Sequence, residues 1–151
     1  MDELLEDLLN HGLLTVNDDR SVWLRPAAES TEDVQLSVLA QATVPILERY
    51  YLALALLLKA GPGRLNQEAL ERQCQLMAQR MALLYEIDSP EFFDRALFRN
   101  FVALLRDRHV LWQSPDGRLD FQPPVLEAIV ADAQMVLNEQ VRNSILQVVH
   151  R

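Results

Sequence analysis

The chain has 151 residues, half of them hydrophobic, with four glycines, seven prolines and one cysteine. That is enough for one ordinary domain with a substantial core, and it excludes a disordered chain, an intrachain disulfide and a cysteine-rich metal site. The net charge of −8 is unevenly placed, since nine of the 22 acidic residues but only two of the 14 basic ones fall in residues 1–33; a nucleic acid or an anionic bilayer needs rows of cations instead.

In chain order, Asp2 to His11 (DELLEDLLNH) place Leu4, Leu5, Leu8 and Leu9 at helical spacing, with Gly12 as the stop. The opening Met1-Asp2-Glu3 is acidic, unlike a basic signal or transit segment. LLTV and SVWLRP flank the polar turn Asn17 to Arg20 and predict a β-hairpin that Pro26 ends. Thr31-Glu32-Asp33 predict a cap for a helix over about 34–59, with a stripe of Leu36, Leu39, Ile46, Leu47, Tyr50, Leu54 and Leu57, and with Pro45 as a kink. Its run Tyr50 to Leu58 (YYLALALLL) is about half of what a bilayer span needs and reads as a helix buried on most sides.

Ala60-Gly61-Pro62-Gly63 stop that helix, and Asn66 predicts the cap of the next, over 67–85. Leu70, Cys74, Met77, Met81 and Leu84 form its inner stripe, so Cys74 reads as a buried thiol, while Glu68, Arg72, Gln75 and Gln79 face outward. A second helix–hairpin unit follows over about 96–123, with strands VLWQ and RLDF around Ser114-Pro115-Asp116-Gly117. Residues 124–150 predict one long helix behind Pro123 and Pro124, with an inner face that includes Val125, Ile129, Val136, Leu137, Val141 and Ile145.

The two helix–hairpin units repeat at an offset of 97 residues. Leu4 falls on Phe101, Leu5 on Val102, Leu8 on Leu105, Leu14 on Leu111, Val22 on Leu119, Leu24 on Phe121 and Pro26 on Pro123. The expected fold is mainly α, a single helical domain over 1–151 with two small β-hairpins arranged as winged-helix-like repeats. Neither repeat carries the basic outward face of a DNA-reading helix: the first is acidic, and in the second Asp94 and Asp107 offset Arg95, Arg99, Arg106 and Arg108.

The segment Ser89 to Asp94 (SPEFFD) joins two of these helices. Ser89 is placed to cap, Pro90 suits a first helical position and Glu91 favours the positive helix end. Phe92, Phe93 and Phe98 are expected to point inward, with Leu97 and Phe101 extending the stripe. Arg80 is expected to act as an internal clamp on Glu91, Asp94 or a helix-end carbonyl. These seven residues, Arg80, Pro90, Glu91, Phe92, Phe93, Asp94 and Phe98, are structural candidates. No catalytic or metal-binding set accompanies them, because His11, His109 and His150 form no ligand spacing and no glycine-rich phosphate loop or nucleophile elbow is present. No cofactor is expected.

The stretch Ala78 to Asp107 (AQRMALLYEIDSPEFFDRALFRNFVALLRD) resembles a block near the C-terminus of the large bacterial membrane-associated glycerol-3-phosphate acyltransferases. Ala78, Gln79, Arg80, Leu84, Ile87, Pro90 to Asp94, Phe98, Val102, Leu105, Arg106 and Asp107 carry the match. GLLTVNDD and Glu48-Arg49-Tyr50 support it, with similarity from about residue 5 to 110 that fades over the last 40. Glu86 stands where the family often has glycine, and Asp88-Ser89 replaces an Asn-Ala pair, which bears on a binding role for that loop.

The resemblance implies transfer of an acyl chain from acyl carrier protein or coenzyme A to the 1-hydroxyl of glycerol 3-phosphate, at the cytoplasmic face of the inner membrane. The family's catalytic signature, a histidine with an aspartate after four intervening residues, is not matched: Val16 and Ser114 stand at those positions after His11 and His109. The expectation is therefore a soluble, inactive, non-catalytic C-terminal domain that packs on and stabilises the catalytic domain of the same polypeptide. Self-association is a further expectation, nucleic acid is not, and membrane contact belongs to the parent protein. The alternatives are a winged-helix-like protein-interaction module and a fragment that completes the active site with Arg80 and Asp94.

Overall fold

The computed structural model describes residues 2–85 and 90–150. It is mainly helical, with two small antiparallel hairpins, as the sequence pattern predicts. Two compact units divide the chain, Met1–Val44 and Pro45–Arg151, and the division falls inside a helix at Pro45.

The first unit opens with α1 (Asp2–Asn10). The Gly12 N–H donates to the Leu9 carbonyl at 3.0 Å and the Leu13 N–H to the Leu8 carbonyl at 2.8 Å, while Gly12 adopts φ +68°. This left-handed closure satisfies the last carbonyls of the helix and turns the chain out of it. Strands β1 (Thr15–Val16) and β2 (Trp23–Leu24) then pair, Thr15 opposite Leu24 and Val16 opposite Trp23.

The turn between them is built by its own polar side chains. Asn17 Oδ1 accepts the Val22 N–H at 2.9 Å, and Asp19 Oδ1 accepts the Ser21 N–H at 2.9 Å and its hydroxyl at 2.6 Å. These bonds hold the Asp19 carboxyl below the usual carboxylate range, the Ser21 hydroxyl being the main cause. Helix α2 (Thr31–Ala60) starts three residues before the expected position. Its capping acceptor is the Ser30 hydroxyl, which takes the Asp33 N–H at 3.1 Å, rather than a side chain of Thr31-Glu32-Asp33. Among the described residues of this unit, Leu13 is the one buried hydrophobic.

The second unit holds the core. Tyr51 to Leu57 of α2 are all buried, so this stretch of the helix is covered on every side, and the apolar run is packing rather than surface. Helix α3 (Gln67–Tyr85) starts where Asn66 Oδ1 accepts the Ala69 N–H at 2.8 Å. It buries Leu70, Cys74, Ala78 and Met81. Leu84, expected on the same stripe, is exposed in the last turn. A 3₁₀ turn (Pro90–Phe93) leads into α4 (Arg95–Asp107), and strands β3 (Leu111–Gln113) and β4 (Leu119–Phe121) pair as Leu111 with Phe121, Trp112 with Asp120 and Gln113 with Leu119.

The single long helix expected over 124–150 is two helices, α5 (Pro123–Val136) and α6 (Glu139–His150). Leu137 takes an extended conformation (φ −91°, ψ 141°), and Asn138 Oδ1 accepts the Gln140 N–H at 2.8 Å, a helix cap in the middle of the predicted span. The break also changes the inner face, so that Leu126 is buried while Val125 and Val136 are exposed. Among the described residues no helix is long and apolar enough to cross a membrane.

Candidate functional site

The SPEFFD segment lies where α3 gives way to α4, and its described part is a packed corner. Phe92 and Phe98 are buried, Phe93 is half-buried, and Phe101 stacks on Tyr50 of α2 with ring centroids 3.9 Å apart and planes 8° from parallel. Each fully buried phenylalanine contributes about 1.5–3 kcal/mol by area. Asp94 is the N-cap of α4: it sits in extended conformation and its Oδ1 accepts the Ala96 N–H at 2.8 Å. Pro90 starts the 3₁₀ turn. The predicted cap at Ser89, the family differences at Glu86 and Asp88, and the side chains of Pro90 and Glu91 lie outside the described residues.

Arg80 is exposed, with Nη1 3.9 Å from the Met77 sulfur. It lines a mainly apolar cleft of about 350 Å³ with Leu83, Leu84 and Val148. Among the described residues no ion pair joins Arg80 to Asp94.

An electrostatic clamp at this corner is centred on Glu71, which the sequence pattern did not single out. Glu71 of α3 is buried, and its Oε2 receives Arg95 Nε at 3.1 Å and lies 3.5 Å from Arg99 Nε. Gln67 donates to the other carboxylate oxygen at 3.0 Å, and Glu68 lies 3.7 Å from Arg95. Arg95 and Arg99 are four apart on α4, and Glu68 and Glu71 three apart on α3, so each pair shares a helix face. Two facing pairs of opposite sign were the available signal.

Cys74 and His11 are held by their surroundings. Cys74 is buried, and burial, aided by the Glu71 charge, pushes its thiol far above the ordinary value. His11 Nδ1 lies 2.8 Å from the Asp7 carbonyl at the end of α1, and His109 holds a left-handed position at φ +57°. Among the described residues no cluster of three or more His, Cys, Asp or Glu is placed to hold a metal ion.

Residues 1–114 match the family described as the C-terminal region of glycerol-3-phosphate acyltransferase. The chain belongs to that family. It is 40% identical over 148 residues to glycerol-3-phosphate acyltransferases of Pseudomonas syringae pv. tomato, Ectopseudomonas mendocina and Pseudomonas aeruginosa, covering 98% of this chain and 18% of each relative. The acyltransferase region thus spans about a fifth of the length of the relatives it matches. The family match ends at residue 114, close to where the resemblance fades, while the alignment to the relatives takes in nearly the whole chain. No solved structure matches.

Proposed function

We propose that this region is a non-catalytic packing domain of a glycerol-3-phosphate acyltransferase, which stabilises the part of the enzyme that carries out acyl transfer to glycerol 3-phosphate. The observation that carries the reading is the use made of the residues that resemble the family best. Phe92 and Phe98 lie in the core, and the carboxylate of Asp94 is occupied with a helix N-terminus. The Ala96 N–H holds Asp94 Oδ1 at the start of α4, which is the geometry of a helix cap. Its neighbour Arg95 pairs with the buried Glu71.

The proposed role of Arg80, Pro90, Glu91, Phe92, Phe93, Asp94 and Phe98 is accordingly structural. Contact with the inner membrane is assigned to the rest of the acyltransferase. In the full-length enzyme, a Phe98→Ala substitution is expected to lower the melting temperature and the yield of folded protein while KM for glycerol 3-phosphate stays unchanged in the folded fraction. The purified region alone is expected to show no acyl transfer above blank. Turnover by the region alone, or a raised KM at unchanged melting temperature in Arg80→Ala full-length enzyme, would defeat the proposal and favour a contribution to the active site.

A further inference from the structure

The two helix–hairpin copies differ in what lies beside the second strand. In the copy of the second unit, Ser114 N–H donates to the Arg118 carbonyl, so the next pair, Gln113 with Leu119, is a non-hydrogen-bonded one. Leu119 therefore turns its N–H and C=O to the outer edge of β4. Both are taken there: the Leu119 N–H donates to the Leu65 carbonyl at 2.7 Å and the Gly63 N–H donates to the Leu119 carbonyl at 2.9 Å, with Asn66 bridging Arg118. The loop 63–66 thus covers this edge, with one isolated antiparallel bridge at Asn66.

In the first copy, Asn17 N–H donates to the Val22 carbonyl at 3.2 Å, which makes Val16 with Trp23 the non-hydrogen-bonded pair. Trp23 thus holds the edge position that Leu119 holds in the other copy, with N–H and C=O directed outward. Among the described residues no third segment bonds to them. The side chains along this edge, Val22, Trp23 and Leu24, are all exposed. An open apolar edge is a template for another strand.

We infer that the outer edge of β2 receives an extended, apolar and basic segment of the acyltransferase polypeptide from outside this region, as a third strand centred on Trp23. Three observations fix the occupant. The second copy covers the same edge with backbone groups of its own chain, at Gly63 and Leu65. The region is only 18% of the length of its relatives, so most of the polypeptide lies outside it. Residues 1–33 hold nine acidic residues against Arg20 and Arg25, and Arg25 is already paired with Asp33, so a basic segment is complementary.

This inference rests on the reading that the region packs on the rest of the enzyme. The test uses the full-length acyltransferase carrying this region, with the photo-crosslinker p-benzoylphenylalanine replacing Val22 in one variant and Leu104, an exposed residue of α4, in another. Residue-resolved hydrogen exchange reads the Trp23 amide in the unmodified protein. The expected result is an intramolecular crosslink from position 22 to a segment outside this region, and a Trp23 amide that exchanges at least 100-fold more slowly than that of the turn residue Asp18. A freely exchanging Trp23 amide with intramolecular crosslinks from position 104 alone overturns the inference and leaves the packing role standing. Crosslinks between two copies at position 22 overturn it in favour of self-association, and no intramolecular crosslink from either position overturns both.

Discussion

The two helix–hairpin copies share a backbone and differ in everything that surrounds it. At the end of α1, Gly12 N–H bonds Leu9 and Leu13 N–H bonds Leu8; 97 residues later His109 N–H bonds Arg106 and Val110 N–H bonds Leu105. The left-handed residues coincide too, Gly12 with His109 and Arg20 with Gly117. Yet Leu4 is 64% exposed where Phe101 is 5%, and Trp23 is 40% exposed where Leu119 is 1%. Local hydrogen bonding and turn chemistry are therefore sufficient to specify the unit's form, and burial decides only its stability.

That contrast predicts its largest effect at the aligned pair Phe101 and Leu4. Phe101→Ala removes the stack on Tyr50 and leaves a cavity in the second unit, at an expected cost of about 3–5 kcal/mol in denaturant unfolding. Leu4→Ala, at the equivalent position of the first unit, is expected to change stability by no more than about 0.5 kcal/mol. Equal costs at the two positions would break the comparison. In the full-length enzyme the first unit is expected to recover sensitivity at Val22 and Leu24 if its open edge is covered there.

Next in size is the clamp between α3 and α4. Glu71→Ala leaves Arg95 and Arg99 without their shared carboxylate; both are exposed enough to rehydrate, so the expected loss is about 1–3 kcal/mol rather than that of a stranded buried charge. A double-mutant cycle between Glu71 and Arg95 is expected to show coupling, while Arg80→Ala alone stays within about 0.5 kcal/mol. A large loss from Arg80→Ala in the isolated region would show that Arg80 clamps this corner as well.

How much of this was legible in the sequence follows the range of each cause. Caps and stops are local, so Gly12, Asn66, Pro123 and the turn Ser114 to Gly117 placed their elements within a few residues. The acceptor at Asn138 is equally local but sits inside a continuous apolar period, and the period was followed through it. The offset of 97 places the helices and the turn entries correctly but slips by one residue past the turn. Four residues separate Asn17 from Val22 where three separate Ser114 from Arg118, so Trp23, not Val22, stands at the position of Leu119. Glu71 was invisible for another reason: a polar residue on a helix reads as outward until its partner on a different helix is known.

A smaller effect concerns the left-handed positions that the copies share. A side chain with a Cβ loses roughly 1 kcal/mol or more there relative to glycine, partly offset by the flexibility glycine brings to the unfolded chain. Gly12→Ala is expected to cost about 1 kcal/mol, and His109→Gly to gain about 0.5 kcal/mol, both read as shifts in denaturant midpoint at constant slope. If His109→Gly destabilises, His109 makes a contact that its counterpart at Gly12 does not, and the closures are less alike than their hydrogen bonds.

The finest probe sits where exposure gives way to burial along α2. Val44 and Ile46 are exposed, Arg49 and Tyr51 are buried, and Glu48 lies half-buried between them. Burial raises its carboxyl above the ordinary value of 4.5, with the Arg49 charge opposing in part. A raised folded-state value means that the folded chain holds this proton more tightly than the unfolded chain. The stabilisation it brings is complete below the unfolded value and is lost as pH rises through the folded one. Glu48→Gln keeps the shape and removes the charge, so it is expected to raise the melting temperature at pH 7 and to leave it unchanged below pH 4.5. The same substitution at Glu32, exposed in the first turn of α2, should show no such gain at neutral pH, because there the carboxylate stays in water and favours the helix N-terminus. A pH-independent gain at Glu48 would place the cause in helix propensity or packing rather than in the burial that distinguishes the second unit from the first.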